Sequence, residues 1–539
     1  MSSSSNSWCA ISSRSRWVGV GPVCTRQLRP GEYCICPYDT ATHTDLFAVQ
    51  SGSVSRSDSS LRLPTQSVVV KPLRRLAATV AGLLAAANVI SEDRLRETVD
   101  LSWPRIVTGF AIMSKRTVDL AVVGVAIGAE AVAGLTLANG FWQVGKFALI
   151  GLAGGTISLV SQNFGGDDER RATQVVAASL VAAVLLSVPL AVVYVVAAAP
   201  LVELVGGGAD ATRLGAAYLV IVAPGLVFEG INLVASRTYA GVGDTVTPMA
   251  VRAAGAVLNV ALSVGLVFGA GMGVRGAAVG TTAATAAVTL VFAWGLTGRS
   301  YAGRGASPLP VGVGVRPPVE LLGQLARVSA PLIARRIAQG AVVFPLLAVA
   351  ATFGEVVLAA IGVARQVRQL LNSFTWGFSV AASTLVGQAL GAAAESDAVA
   401  YGREIVNLSV VVYVVAAALV AAFAEPVAAV FADGPATQTT AVFVAVAAVS
   451  AIPLGVDGSV TGTLRGAGDT RVPFVATLAG LYLVALPLAY AGTVTALGVT
   501  GLLAALVAET TVPMAVDVAR FRTRTWLTVS REYRPDAAD

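Results

Sequence analysis

Long apolar stretches separated by short polar segments fill the chain from about residue 105 to residue 518. Roughly twelve of them have about 20 residues or more, enough for a helix to cross about 30 Å of hydrocarbon. They show no sustained alternation of apolar and polar positions, so the pattern predicts membrane-spanning helices and not a membrane β-barrel. The predicted spans are approximately 105–125, 137–161, 173–199, 212–236, 248–268, 274–296, 327–350, 356–386, 404–424, 437–463, 472–491 and 496–518.

The same sequence landmarks occur twice, in the same order, about 225 residues apart. One segment reads Thr238-Tyr-Ala-Gly-Val-Gly-Asp-Thr-Val-Thr-Pro248, and its counterpart reads Thr463-Leu-Arg-Gly-Ala-Gly-Asp-Thr-Arg-Val-Pro473. Likewise, Leu159-Val-Ser-Gln-Asn-Phe-Gly165 corresponds to Leu385-Val-Gly-Gln-Ala-Leu-Gly391. Duplication is typical of secondary transporters. The sequence therefore predicts an all-α membrane protein with two parallel-repeat bundles of six transmembrane helices each.

Composition and charge support this interpretation and orient the chain. Hydrophobic residues make up 55% of the sequence, charged residues only 13%, and the mean hydropathy is +0.75. Arginine is concentrated in alternate loops and in the tail after residue 518. Because basic residues near membrane ends stay on the cytoplasmic side, both termini are predicted to be cytoplasmic, in a multi-pass protein of the cell membrane.

These patterns divide the chain into five parts. Residues 1–100 form an extension, predicted to be disordered at first and to end in an interfacial helix. Residues 101–297 and 327–518 are the two lobes, 298–326 is a cytoplasmic linker, and 519–539 is a cytoplasmic tail. The basic charge of the linker is interpreted as a topology signal, and no nucleic-acid partner is expected.

All four cysteines and the only histidine lie in the extension. A zinc site built from Cys24, Cys34, Cys36 and His43 is one interpretation, but Cys-x-Cys is not the usual spacing of structural zinc ligands. The alternative is an extension created by a misassigned start codon. We expect no metal site.

The sequence contains no phosphate-binding Gly-x-x-x-x-Gly-Lys-Ser/Thr motif, so an ATP-driven pump is not predicted. The spans also lack His, Cys or paired carboxylates suited to catalysis, which argues against an enzyme. Duplication with proline-interrupted helices favours a carrier over a passive channel. An ion gradient is then the expected source of energy.

Asp119 is the outstanding ionisable residue, since it lies about fifteen residues into the first span and thus near mid-membrane. It can bind a proton or neutralise a sodium ion. The alternative is a permanent salt bridge with Lys115, one helical turn earlier. In the second half the equivalent position is Pro345, so coupling is predicted to depend on a single carboxylate.

Basic residues within the spans are predicted to line a wet cleft between the halves, because isolated cations do not face lipid. They come from the first two spans of each half. Either an anionic substrate group is their partner, or they pair with carboxylates and the backbone. The predicted cleft residues are Lys115, Lys146, Arg365 and Arg368.

The run Lys115-Arg-Thr-Val-Asp-Leu-Ala-Val-Val-Gly124, followed by Gly128-Ala-Glu-Ala-Val-Ala-Gly134, resembles the first helix of the multidrug and toxic compound extrusion (MATE) transporters. The paired Gly-x-Gly-Asp-Thr segments are similar to the same family. The resemblance extends over about residues 100–520. It implies a cation site in the first lobe, where Asp119 matches an aspartate, Asn259 an asparagine and Thr281 a threonine. Ser263 stands where the family has a second aspartate.

The resemblance therefore implies an antiporter, coupled to H⁺ or Na⁺, that exports organic compounds by alternating access and uses no organic cofactor. Asp119, Asn259, Ser263 and Thr281 are the predicted coupling residues. The predicted partners are a small organic substrate and the lipid bilayer, and the protein is expected to be a monomer. The alternative is a lipid-linked oligosaccharide flippase of the same wider superfamily, in which cleft cations would receive a pyrophosphate.

Overall fold

The computed structural model describes residue 79 and residues 81–206, 208–300, 305–312 and 315–534, apart from the side chains of Arg116 and Ala129. The predictions of a disordered extension and of the alternative zinc site concern residues outside these ranges. The described residues are almost entirely helical.

The first lobe contains eight helices. A π-helical turn, Gly265–Gly269, extends the seventh. The helices are α1 (Glu92–Ile127), α2 (Ala129–Gly165), α3 (Glu169–Val196), α4 (Ala198–Val205), α5 (Ala209–Val222), α6 (Gly225–Gly241), α7 (Val246–Val264) and α8 (Gly273–Leu296).

The second lobe repeats this plan and is followed by a short helix in the tail. A π-helical segment, Ala479–Ala485, again interrupts the fifth span. The helices are α9 (Val319–Ala341), α10 (Val343–Ala351), α11 (Glu355–Gly391), α12 (Glu395–Ala422), α13 (Ala424–Ala429), α14 (Pro435–Gly466), α15 (Arg471–Leu478), α16 (Leu486–Val494), α17 (Val499–Arg522) and α18 (Trp526–Ser530).

By length and composition, nine helices in the described part of the chain can cross a membrane, and the pair α5 and α6 is a tenth if it forms one bent span. Pro224 separates that pair, which is bent by 51°. The remaining two predicted spans correspond to α1 and α11, which have 36 and 37 residues and carry ionisable side chains along their lengths.

Two boundaries differ from those predicted by the sequence. Residues 92–101, predicted to belong to an interfacial helix, are continuous with the first span in α1. Helix α9 begins at Val319, so it includes the last residues of the predicted 298–326 linker. Both helices extend past their apolar stretches because amphipathic turns can continue a helix beyond the hydrocarbon.

The repeat is visible in the helices themselves. Both α2 and α11 have 37 residues, and both α3 and α12 have 28. Helices α11 and α12 each begin 226 residues after their counterparts α2 and α3, which matches the spacing of the sequence landmarks.

The lobes close on each other at the end where α2 and α11 finish. Gln162 of α2 donates a hydrogen bond to the Gly466 carbonyl oxygen at 2.9 Å, and Gln388 of α11 donates to the Gly241 carbonyl oxygen at 2.8 Å. A Cβ on Gly165 or Gly391 would overlap the backbone of the facing helix. Only glycine permits so close an approach of two backbones. We call this contact the seal.

The duplicated Gly-x-Gly-Asp-Thr segments form turns that begin the fifth span of each lobe. Gly243 and Gly468 have φ angles of 94° and 82°, in the left-handed region that favours glycine. Asp244 accepts hydrogen bonds from the backbone N–H and hydroxyl of Thr247 at 2.9 and 2.6 Å. The motif is therefore structural.

Candidate functional site in the first lobe

Three of the four predicted coupling residues meet in the interior of the first lobe. The carboxylate of Asp119 lies opposite the amide of Asn259, and Thr281 lies on the far side of that amide. In the amide orientation that satisfies both neighbours, Asn259 donates to Oδ1 and Oδ2 of Asp119 at 3.1 and 3.2 Å. Its oxygen accepts from Thr281 Oγ1 at 2.9 Å. The asparagine thus connects α1 to α8.

Close packing of α7 against α8 fixes this arrangement. Gly280 precedes Thr281, and a Cβ there would lie 2.9 Å from the backbone nitrogen of Ser263 and 3.0 Å from its hydroxyl. The absence of a side chain lets the two helices approach, which brings Thr281 within reach of Asn259. Ser263 is fully buried one turn after Asn259, and its hydroxyl lies close to Asp119.

Asp119 is 8% exposed and makes no ion pair within 4.0 Å in the described part of the chain. The salt bridge between Asp119 and Lys115, which was the alternative prediction, is therefore not formed in this structure. Burying a carboxylate without a cation is costly unless it is protonated or acquires an ion. Asp119 has hydrogen-bond donors on one side and no ion-paired cation among the described residues, so it can bind either a proton or a cation.

Three of the predicted cleft cations are paired with carboxylates that the sequence reasoning did not single out. Lys146 contacts Glu229 at 3.1 Å. In the second lobe, Arg365 and Arg368 contact Glu509 at 3.3 and 2.8 Å. For these three residues the structure favours pairing within the protein over pairing with a substrate. The rule that identified Asp119, an ionisable residue inside a span, also applies to Glu229 and Glu509 and could have found both.

Asp119 is not the only carboxylate buried within the spans, whereas the dependence of coupling on Asp119 alone stays a prediction. Besides Glu509, the second lobe buries Asp457 on α14 and Asp517 on α17. Asp457 pairs with Arg335 at 2.7 Å. Asp517 is fully buried and faces Asp457. Comparing each half with the other at the Asp119 position could not reveal these acids, because they occupy other helices.

Comparison with known proteins shows that both repeats match the same protein family. The sequence model of the MatE family matches residues 104–264 and again residues 331–491, once in each lobe. Together these segments cover more than half of the chain.

Among curated proteins, the probable multidrug resistance protein NorM of Deinococcus radiodurans is 27% identical over 454 residues, which cover 82% of this chain and 98% of that protein. The protein of the same name from Bradyrhizobium diazoefficiens is 28% identical, over 80% of this chain and 93% of its own length. These relatives do not favour the flippase alternative.

Among solved structures, the outward-facing conformation of a multidrug resistance MATE family transporter of the MOP superfamily superimposes with a TM-score of 0.72. It is 21% identical, and the match covers 81% of this chain and 96% of that chain. At this identity the likeness concerns the fold alone. With the family model matching both lobes, the chain belongs to the MatE family of multidrug and toxic compound extrusion proteins, which are secondary transporters and not enzymes.

Proposed function

We propose that this protein is a cation-coupled antiporter that exports organic compounds across the cell membrane by alternating access. It acts as a monomer, with both termini in the cytoplasm and H⁺ or Na⁺ as the coupling ion. The observation that carries the proposal is the buried Asp119 carboxylate, which Asn259 orients and which forms no ion pair among the described residues.

The proposed cycle uses the charge of Asp119 to bias two states of the lobes. In the state described here the seal is closed at the end that the basic loops assign to the cytoplasm. A proton or Na⁺ that enters from outside binds Asp119 and removes the cost of its buried charge. Loading of the ion can shift the lobes only through a difference in its affinity between the two states, and that difference is the coupling energy.

The test is transport by Asp119→Asn in proteoliposomes under imposed proton and sodium gradients. Asparagine has nearly the same shape and no charge, so gradient-driven efflux of a fluorescent organic substrate should be abolished while the protein stays folded. Asp210→Asn is the matched control, because Asp210 is exposed and pairs with Arg213 on the same helix, α5. Full efflux by Asp119→Asn would overturn the proposal.

A further inference from the structure

Five arginines from five helices of both lobes converge next to the seal. Each is only partly exposed and belongs to a helix of the membrane-spanning bundle. Arg237 faces the other four, and Arg105 also faces Arg252 and Arg336. We call this set the arginine cluster: Arg105 on α1, Arg237 on α6, Arg252 on α7, Arg336 on α9 and Arg465 on α14.

The cluster spans the boundary between the lobes. Arg105 of the first lobe stacks over the ring of Trp376 in the second, 5.4 Å from its centroid. Arg465 of the second lobe lies against α2 of the first, where a Cβ on Gly154 would be 3.4 Å from its Cδ. The cluster lies close to the seal in sequence, since Arg465 directly precedes Gly466 and Arg237 lies one turn before Gly241.

Acidic side chains do not balance this charge. Within the described residues, Arg105, Arg237, Arg336 and Arg465 have no carboxylate within 4.0 Å. Only Arg252 is paired, with Glu229 at 3.1 Å, and Glu229 also holds Lys146. The nearest acid of the second lobe, Asp457, is occupied by Arg335.

The protein's own hydrogen-bond acceptors satisfy only part of the cluster. Arg465 donates to the backbone oxygen of Ser379 at 2.8 Å and to the hydroxyls of Ser379 and Ser383 at 3.2 and 2.9 Å. Arg336 donates to Gln339 at 3.1 Å, and Arg252 donates to Ser236 at 3.4 Å. The buried Nε of Arg105 and Nη2 of Arg252 have no partner among the described residues. Arg237 makes no hydrogen bond or ion pair in the same part of the chain.

Clustered guanidinium groups repel one another and are costly to remove from water, so this arrangement calls for an anion. Arginine presents a planar fork of N–H donors that matches carboxylate, sulfonate and phosphate oxygens. We infer that the transported substrate is an organic oxyanion with more than one negative charge, bound by the arginine cluster between the lobes. This inference rests on the proposed export function and names the substrate class.

The location of the cluster explains how such an anion would be moved. When the seal opens, a cytoplasmic anion can reach the arginines. When it closes, the same groups are reached only from the opposite side. The anion would also hold the two lobes together by neutralising charges from both.

The experiment compares two soluble dyes of opposite charge in proteoliposomes, the polycarboxylate calcein and the cation rhodamine 6G, under proton or sodium gradients. We expect gradient-dependent calcein transport that falls at least tenfold in Arg237→Gln and Arg336→Gln, with Arg336→Lys intermediate because it keeps the charge but loses the fork. Arg213→Gln is the matched control, since Arg213 is an exposed arginine remote from the cluster and should retain full transport. Neither glutamine variant should unfold at a lower temperature, because each removes a repelled charge.

The outcomes separate this inference from the proposed function. Rhodamine 6G transport that requires Asp119, without calcein transport, overturns the substrate class and leaves the antiporter intact. If neither dye moves, the proposed function fails, and thermal stabilisation by calcein in detergent then tests the anion site. Stabilisation that is lost in Arg336→Gln supports the anion site. No stabilisation of the unmodified protein overturns the anion site. Movement of fluorescent phosphatidic acid between leaflets, in place of calcein, supports the cluster with a lipid headgroup as the source of the oxyanion.

Discussion

The side-chain amide of Gln162 donates a hydrogen bond to the backbone oxygen of Gly466, and the other repeat makes the equivalent contact. Gln388, the repeat counterpart of Gln162, donates to Gly241, the counterpart of Gly466. Each lobe therefore contacts the other through residues at equivalent positions of the repeat. These residues belong to the segments whose repetition is visible in the sequence, so the repeated landmarks mark the closing surface between the lobes.

We predict that Gly391→Ala weakens the seal. Its Cβ would overlap the backbone of Gln162, and overpacking of this kind costs about 1–3 kcal/mol. The population should shift toward a state open at this end. Spin labels at positions 167 and 396, after replacement of the natural cysteines, should report longer distances. Gly362→Ala is the matched control on the same helix, because a Cβ there meets nothing within 4 Å. Unchanged distances in Gly391→Ala would show that the seal tolerates a methyl group.

We predict that Glu509→Gln destabilises the second lobe. Glu509 is the shared partner of Arg365 and Arg368, and its side chain is only 11% exposed. Removing one member of a buried ion pair leaves the other charge uncompensated and costs about 3–5 kcal/mol. The thermal unfolding midpoint in detergent should fall clearly. Glu425→Gln, at an exposed position of the same lobe, should change stability by less than about 0.5 kcal/mol. Equal midpoints for the two variants would contradict this view of the pair.

We predict that Ser263→Asp strengthens the dependence of transport on the coupling cation. The new carboxylate would share the buried face of α7 with Asn259, close to Asp119, and would add a second negative charge to the site. The cation concentration for half-maximal transport should fall about tenfold, which corresponds to about 1.4 kcal/mol. Ser263→Asn has the same shape without the charge and should show no such gain. Identical cation dependence in the two variants would place the coupling site elsewhere.

The sequence alone determined the helical membrane fold, the two repeats and three residues of the first-lobe cluster. The bilayer offers backbone groups no other partner, so a spanning segment must be a helix or a barrel strand, and the lack of alternation in these apolar stretches favours helices. Asp119 was identifiable because a charge at mid-membrane is expensive and is rarely retained without a use. Twelve predicted spans correspond to twelve helical segments or bent pairs in the described chain, with differences only at their ends.

Only the tertiary structure decided which charges neutralise each other. Lys146 and Glu229 are far apart in sequence, as are Arg368 and Glu509, and pairing depends on which helix faces which. Helix periodicity predicts on which face of a helix a residue lies, but it does not predict which other helix packs against that face. For the same reason Arg237 and Arg465, which alone suggest only loop topology, become members of one arginine cluster once the two lobes are packed together.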